Sequence, residues 1–139
     1  MLSYQQWGCA DRMPRDDVRE SGVAVTGSQY IDHIRRHLRC AYLMSDEKVA
    51  SLLPGFMEAL RCHLVQLQKS MDSGDLEMLG HSGHTLKGAL LNLGLVDLAS
   101  VALEIEELCR QRCQEADYET MVATLQKEIG SFARQRCRS

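Results

Sequence analysis

The spacing of apolar residues is the feature that most constrains this fold. From residue 28 onward, apolar side chains recur every three to four positions, as on one face of an α-helix, and no long stretch alternates as a β-strand does. Short polar segments divide this pattern into one short and four long helices. Because short connections make neighbouring helices antiparallel, we predict an all-α protein, an antiparallel four-helix bundle with an additional short N-terminal helix.

Capping residues and turns mark the first two helices. The first helix is predicted over about 28–42, with Ser28 as its N-cap. We expect this short helix to lie over the bundle as a lid. The second opens at Ser45, and Pro54 is expected to reset or bend it, because proline lacks a backbone donor and clashes with the preceding turn.

The third helix is bounded by clear turn signals. The segment 71–75, MDSGD, is a predicted turn in which Ser73 or Asp75 caps the helix that follows. That helix is predicted over about 75–92, and Gly94 is expected to end it in a left-handed conformation.

The last two helices follow the same logic. Asp97 is predicted to cap the fourth helix, which ends near Arg112. The segment 114–117 leads into the fifth helix, whose apolar face starts at Tyr118 and reaches Phe132.

Length, composition and charge limit the function. The 139 residues, 45% of them hydrophobic, suit one domain, predicted over 28–137, with residues 1–27 as an extension or linker. Sixteen basic against 19 acidic residues give a net charge of −3, which argues against nucleic-acid binding. No apolar run approaches the roughly 20 residues of a membrane span, so we expect a soluble, cytoplasmic protein without membrane contact.

Cysteines and histidines offer only weak metal signals. The six cysteines include no C-x-x-C pair, and we interpret them as reduced thiols in or near a core rather than as disulfides. Cys109 and Cys113 lie one helical turn apart, as do His33 and His37, and either pair could bind a metal. Such histidine pairs are more often solvated, and we predict no metal site.

His84 stands out on the third helix. The apolar stripe of this helix contains Leu79, Gly83 and Leu86, and His84 lies about 130° from its centre, so its imidazole should face outward. Gly80 and Gly88 lie one turn before and one turn after it. A glycine inside a helix costs roughly 1 kcal/mol relative to alanine, so we interpret these two as giving a partner access to the ring. Packing accounts better for Gly83.

Lys87 lies on an adjacent row of the same surface. Its ammonium group is placed to neutralise oxygens of a phosphoryl group on the ring, although a lone surface lysine is ordinarily just solvated.

These residues resemble the histidine-containing phosphotransfer (HPt) domain family. The run His84-Thr85-Leu86-Lys87-Gly88 is similar to the family pattern H-x-L-K-G, Gly94 follows ten residues after the histidine, and Glu106 occupies the next helix. The resemblance covers roughly residues 30–135.

The resemblance implies a phosphocarrier rather than an enzyme with kinase activity of its own. His84 would accept a phosphoryl group from an aspartyl phosphate on a receiver domain and pass it to another receiver aspartate. Lys87 would stabilise the phosphoryl oxygens, Gly88 would keep the approach open, and Glu106 would accept a hydrogen bond from the inner ring nitrogen. An equally good interpretation makes Glu106 an ordinary member of an acidic cluster with Glu104 and Glu107.

The implied partners are response-regulator receivers and a hybrid sensor histidine kinase, with this chain as a monomer. No intrinsic cofactor is expected, since Mg²⁺ would be bound by the receiver. Leu91 departs from the small residue common in the family, and with Gly80 and His81 it is a candidate partner contact. The alternatives are a bundle that docks receivers or other partners without carrying phosphate, and a helical metal-binding protein.

Overall fold

The computed structural model describes residues 27–133, and these form five α-helices joined by short connections. The helices are α1 (Gly27–Ala41), α2 (Asp46–Ser73), α3 (Leu76–Asn92), α4 (Val96–Arg110) and α5 (Tyr118–Ala133). The predicted all-α helical bundle is confirmed. None of these described helices has the length and apolar character needed to cross a membrane.

The four long helices close into a ring around one core. Helix α3 packs on α2 and α4, and α5 completes the ring by packing on α2 and α4 as well. The most extensive of these contacts joins α3 to α4. Fully buried leucines and isoleucines from all four helices fill the centre, among them Leu60, Leu67, Leu86, Leu90, Ile105, Leu125 and Ile129. This core fixes α3 and α4 side by side.

Helix α1 crosses the end of the bundle at which α3 turns into α4. The buried Tyr30 hydroxyl donates to Glu128 Oε1 at 2.7 Å, and the Tyr30 ring lies 4.9 Å from that of Phe132. His33 Nε2 donates to the carbonyl oxygen of Gly94 at 2.8 Å. His33 and His37 are both buried, so the prediction that this pair is solvated is wrong. Tertiary packing of α1 withdraws their rings from water.

Two predicted helix caps are present. The Ser45 hydroxyl accepts the Lys48 backbone N–H at the start of α2. The Asp75 carboxylate accepts the backbone N–H groups of Glu77 and Met78 at the start of α3. Each satisfies donors that the first helical turn leaves without an intrahelical acceptor.

Gly94 ends α3 as predicted and has two reasons to be glycine. Its φ of +78° is left-handed, a conformation that is strained for other residues. A Cβ at this position would also lie 2.5 Å from Cγ of His37. The turn therefore needs glycine both for its backbone and for the close approach of α1.

Three local predictions are wrong. Ser28 lies within α1 instead of at its N-cap, and α2 is not reset at Pro54 but continues through it as one helix, so only the predicted bend stays a prediction. Pro54 is exposed, and apolar contacts on the buried side hold the helix together across the one hydrogen bond that proline removes. Asp97 is also not a cap, because Leu95 is the N-cap residue of α4 and Asp97 lies in its first turn.

The predictions on the N-terminal extension and on the cysteines can be compared with the structure. The predicted extension over residues 1–27 lies outside the described residues except for Gly27, which is already helical. The interpretation of the cysteines as reduced is wrong for Cys40, which is exposed on α1 and disulfide-bonded. Cys62, Cys109 and Cys113 are free thiols, and only Cys109 of these is buried. Across residues 27–133, no group of three or more potential metal ligands comes together.

Candidate functional site

His84 stands in the middle of α3 and faces outward. Its side chain is 60% exposed, whereas Leu79, Leu86 and Leu90 of the same helix are buried. The apolar stripe therefore turns the imidazole away from the core, as the periodicity predicts.

Two of the glycines near His84 serve helix packing. A Cβ at Gly83 would lie 3.2 Å from the backbone oxygen of Ala102 on α4, so Gly83 allows α3 and α4 to approach closely. A Cβ at Gly80 would lie 3.0 Å from Cβ of Cys109, also on α4. Gly80 thus faces α4, and helix packing accounts for it, contrary to the interpretation that it clears space beside the ring. Its contact with a partner stays a prediction.

Gly88 differs from both. It is exposed, and a Cβ built on it would meet nothing within 4 Å. No contact among the described residues therefore requires glycine at this position. The surface one turn beyond His84 is open, as the sequence predicts.

Glu106 reaches His84 from the neighbouring helix α4. Its Oε2 atom lies 3.0 Å from Nδ1 of His84, and its Oε1 atom accepts from Lys87 Nζ at 2.9 Å. The Glu106 side chain is only 15% exposed. The structure thus brings Glu106 to His84 and Lys87, which precede it in the chain by 22 and 19 positions.

Glu106 is ionised at neutral pH. Partial burial raises the pKa of its carboxyl group, but hydrogen bonds from Lys87 and His84, together with the electrostatic attraction of the Lys87 ammonium and of the protonated form of His84, outweigh burial and hold the pKa below its ordinary value. An ionised carboxylate only accepts hydrogen bonds, so Nδ1 of the neutral His84 ring must carry the proton. The outer nitrogen, Nε2, then keeps its lone pair and faces solvent.

Arg110 is also part of this site, although it is not among the residues predicted from the sequence. Its Nη2 lies 3.4 Å from Glu106 Oε2, and its Nη1 lies 3.0 Å from Glu107 Oε2. The signal that could have found it is the i, i+4 spacing from Glu106, which places the two side chains on one face of α4. Glu106 is thereby paired with three nitrogen groups rather than being only one acid in a surface cluster.

The other predicted contacts lie nearby on α3. His81 is exposed one turn before His84, and Leu91 is half-buried and packs against the core. No contact among the described residues tests whether either one meets a partner.

The comparisons with known proteins point to one family. The family model described as Hpt domain matches residues 51–135, which include most of α2, all of α3 and α4, and the described part of α5. Neither the search of curated proteins nor the search of solved structures gave a match. Members of this family are phosphocarriers of two-component phosphorelays, in which they transfer phosphoryl groups through a histidine and interact with receiver domains and kinases. With well over half of its length covered by the match, this chain belongs to the HPt domain family.

Proposed function

We propose that His84 is the phosphoryl carrier of this HPt domain, accepting the group from a receiver aspartyl phosphate and passing it to a second receiver aspartate. The observation that supports this most is the pairing of its inner nitrogen with ionised Glu106 while the outer nitrogen is exposed. His33 and His37 are buried, so their rings are not accessible to another protein.

The transfer breaks the bond between phosphorus and an oxygen of the donor aspartate and forms one between phosphorus and Nε2 of His84. The aspartate leaves as a carboxylate. The ring keeps its Nδ1 proton, and the positive charge that it acquires lies 3.0 Å from the Glu106 carboxylate. Passing the phosphoryl group to the second aspartate reverses these bond changes and restores the neutral ring. No proton has to leave the site in either direction.

Lys87 and Gly88 assist this transfer in different ways. The Lys87 ammonium has three N–H donors, of which one is used on Glu106, and the others are available to phosphoryl oxygens. Because Gly88 has no side chain, the receiver can approach the surface of α3 and bring its aspartyl phosphate to bonding distance of Nε2. Mg²⁺ bound by the receiver would neutralise phosphoryl charge during the same step.

The partners follow from this role. The donor would be the receiver of a hybrid sensor histidine kinase, and the acceptor would be a response-regulator receiver. A relay between such domains operates in the cytoplasm, and a monomer suffices for it, because His84, Lys87 and Glu106 all come from one chain.

Replacement of His84 tests the proposal directly. The full chain, incubated with a phosphorylated receiver and Mg²⁺, should acquire acid-labile phosphate, and His84→Gln should acquire none. His81→Gln is the matched control, because His81 is exposed one turn away on the same helix, and it should be labelled as the wild type is.

Two outcomes would contradict the proposal. Label that persists in His84→Gln would move the phosphorylation site elsewhere. A wild-type chain that binds receivers as tightly as His84→Gln does, and is never labelled by any of them, would instead be a docking module.

A further inference from the structure

Arg112 follows α4 in a backbone conformation that suits glycine. Its φ is +58°, in the left-handed region. The Arg112 N–H donates to the Cys109 carbonyl at 2.9 Å and the Cys113 N–H donates to the Leu108 carbonyl at 3.0 Å. This pair of hydrogen bonds is the Schellman motif, whose left-handed position glycine usually fills, because any Cβ there is strained.

Helix α3 ends in the same motif with the expected residue. The Gly94 N–H donates to the Leu91 carbonyl at 3.0 Å and the Leu95 N–H donates to the Leu90 carbonyl at 2.9 Å. Gly94 has a φ of +78°. The two helices of the candidate site thus end alike, but α4 carries an arginine where α3 carries glycine. Stability alone does not explain the arginine.

Arg112 lines a cleft that His84 also lines. This cleft, of about 360 Å³, lies between α3 and the end of α4, and the acidic, basic and imidazole side chains among its lining residues are those of Glu77, His81, His84, Glu106, Arg110 and Arg112. Although Arg112 is exposed, no carboxylate among residues 27–133 forms an ion pair with its guanidinium group.

Among the described residues, no other charged group that lines the cleft forms an ion pair with Arg112. Arg110 binds Glu107 and Glu106, and Glu106 also binds His84 and Lys87. Glu77 lines the cleft as well, but no ion pair joins it to an arginine within residues 27–133. Among the residues that the structure describes, Arg112 is therefore a cation without an ion-pair partner, on the cleft that His84 also lines.

We propose that Arg112 determines which receivers react with this domain, by pairing with a carboxylate at the rim of the receiver's phosphorylation site. The inference rests on the proposed function of His84. A charge at the rim of an interface acts mainly on the rate of association and on its salt dependence. Arg112 therefore favours receivers that carry an acidic side chain opposite this cleft over those that do not.

Glycine substitutions separate this role from a structural one. Arg112→Gly relieves the left-handed strain and should raise the melting temperature by about 2–5 °C, while lowering the transfer rate from an acidic-rimmed receiver about two- to fivefold at low salt. Leu43→Gly is the matched control. Leu43 is left-handed too, with a φ of +56°, but it lies 86% exposed in the α1–α2 connection and does not line the cleft. It should gain stability and leave transfer unchanged.

Charge and salt complete the test. Arg112→Lys should restore most of the lost rate, and the difference between wild type and Arg112→Gly should shrink as salt rises, because screening weakens exposed ion pairs. If Arg112→Gly transfers at the wild-type rate with every receiver that labels His84, or if Arg112→Lys is as slow as Arg112→Gly, the inference is wrong while the proposed function stands. If no receiver labels the wild-type chain at His84, the proposed function itself fails.

Discussion

Gly83 and Gly88 lie five residues apart on α3 and do opposite things. At Gly83 a Cβ would press on the backbone of α4, while at Gly88 it would meet only open space. Gly83 allows α3 and α4 to pack closely, whereas Gly88 leaves the helix surface beside the exposed imidazole without a side chain. The residue type alone therefore does not reveal the role of a glycine in a helix, and for these two glycines the position relative to the apolar stripe separates the two roles.

The largest expected effect on stability comes from adding a side chain at Gly83, the buried position of this comparison. Gly83→Leu would force a side chain against the Ala102 carbonyl, which is held in α4 and cannot move aside. Overpacking of this kind should lower the free energy of unfolding by about 3 kcal/mol, measured by urea denaturation. A variant as stable as the wild type would show that α3 and α4 are not in close contact at Gly83.

The same substitution on the open side should affect transfer and spare the fold. Gly88→Leu is expected to slow phosphotransfer at least tenfold, on the order of 1.4 kcal/mol, by obstructing the receiver, with no loss of stability. Gly88→Ala serves as the control and should raise stability by about 1 kcal/mol, since alanine is the better helix former. Wild-type transfer rates in Gly88→Leu would contradict the role of Gly88 in access.

Replacing Glu106 sharpens the comparison, because Glu106 lies on α4, the helix that packs on Gly83, and also contacts His84 on the open surface of α3. Glu106→Gln keeps a hydrogen-bond acceptor for His84 but removes the negative charge that faces the phosphorylated ring. We expect transfer to His84 to slow about fivefold, as fits the loss of a partly exposed charge interaction of about 1 kcal/mol. Glu107→Gln is the matched control on the same helix, and equal rates in the two variants would remove Glu106 from the mechanism.

The smallest expected effect is the dependence of stability on pH. Because the pKa of Glu106 in the folded chain lies below its ordinary value of 4.5, the ionised carboxylate stabilises the fold at neutral pH. This contribution is lost as the pH falls below 4.5 and through the folded pKa. The melting temperatures of wild type and Glu106→Gln, measured from about pH 6 down to pH 3, should therefore converge towards the acid end. A constant difference would contradict the lowered pKa.

The sequence predicts the helices well because their information is local. The period of the apolar residues identifies the bundle, and Asp75 and Gly94 mark the ends of α3 correctly, since capping depends on neighbours only a few positions away. The outward direction of His84 follows from the same period. Pro54 shows the limit of local rules, because contacts with other helices carry α2 through it.

What the sequence could not predict depends on packing between distant segments. His33 and His37 have the spacing of a solvated pair, and only the crossing of α1 over the α3–α4 turn buries them. The role of Gly80 likewise depends on Cys109 of α4, which the sequence of α3 does not reveal. Helical spacing places residues within one helix, but the contacts between helices require the assembled bundle.

The packing of α1 on the α3–α4 turn has a consequence for shortened versions of this protein. The family match begins at residue 51, so a fragment cut to that limit would lose α1 together with the Ser45 cap of α2. Water would then reach the Gly94 carbonyl and Leu95, which is fully buried in the longer chain. Since this turn sets how far α3 is shifted along α4, the trimmed protein would hold His84 and Glu106 less firmly in register, although neither residue had been touched.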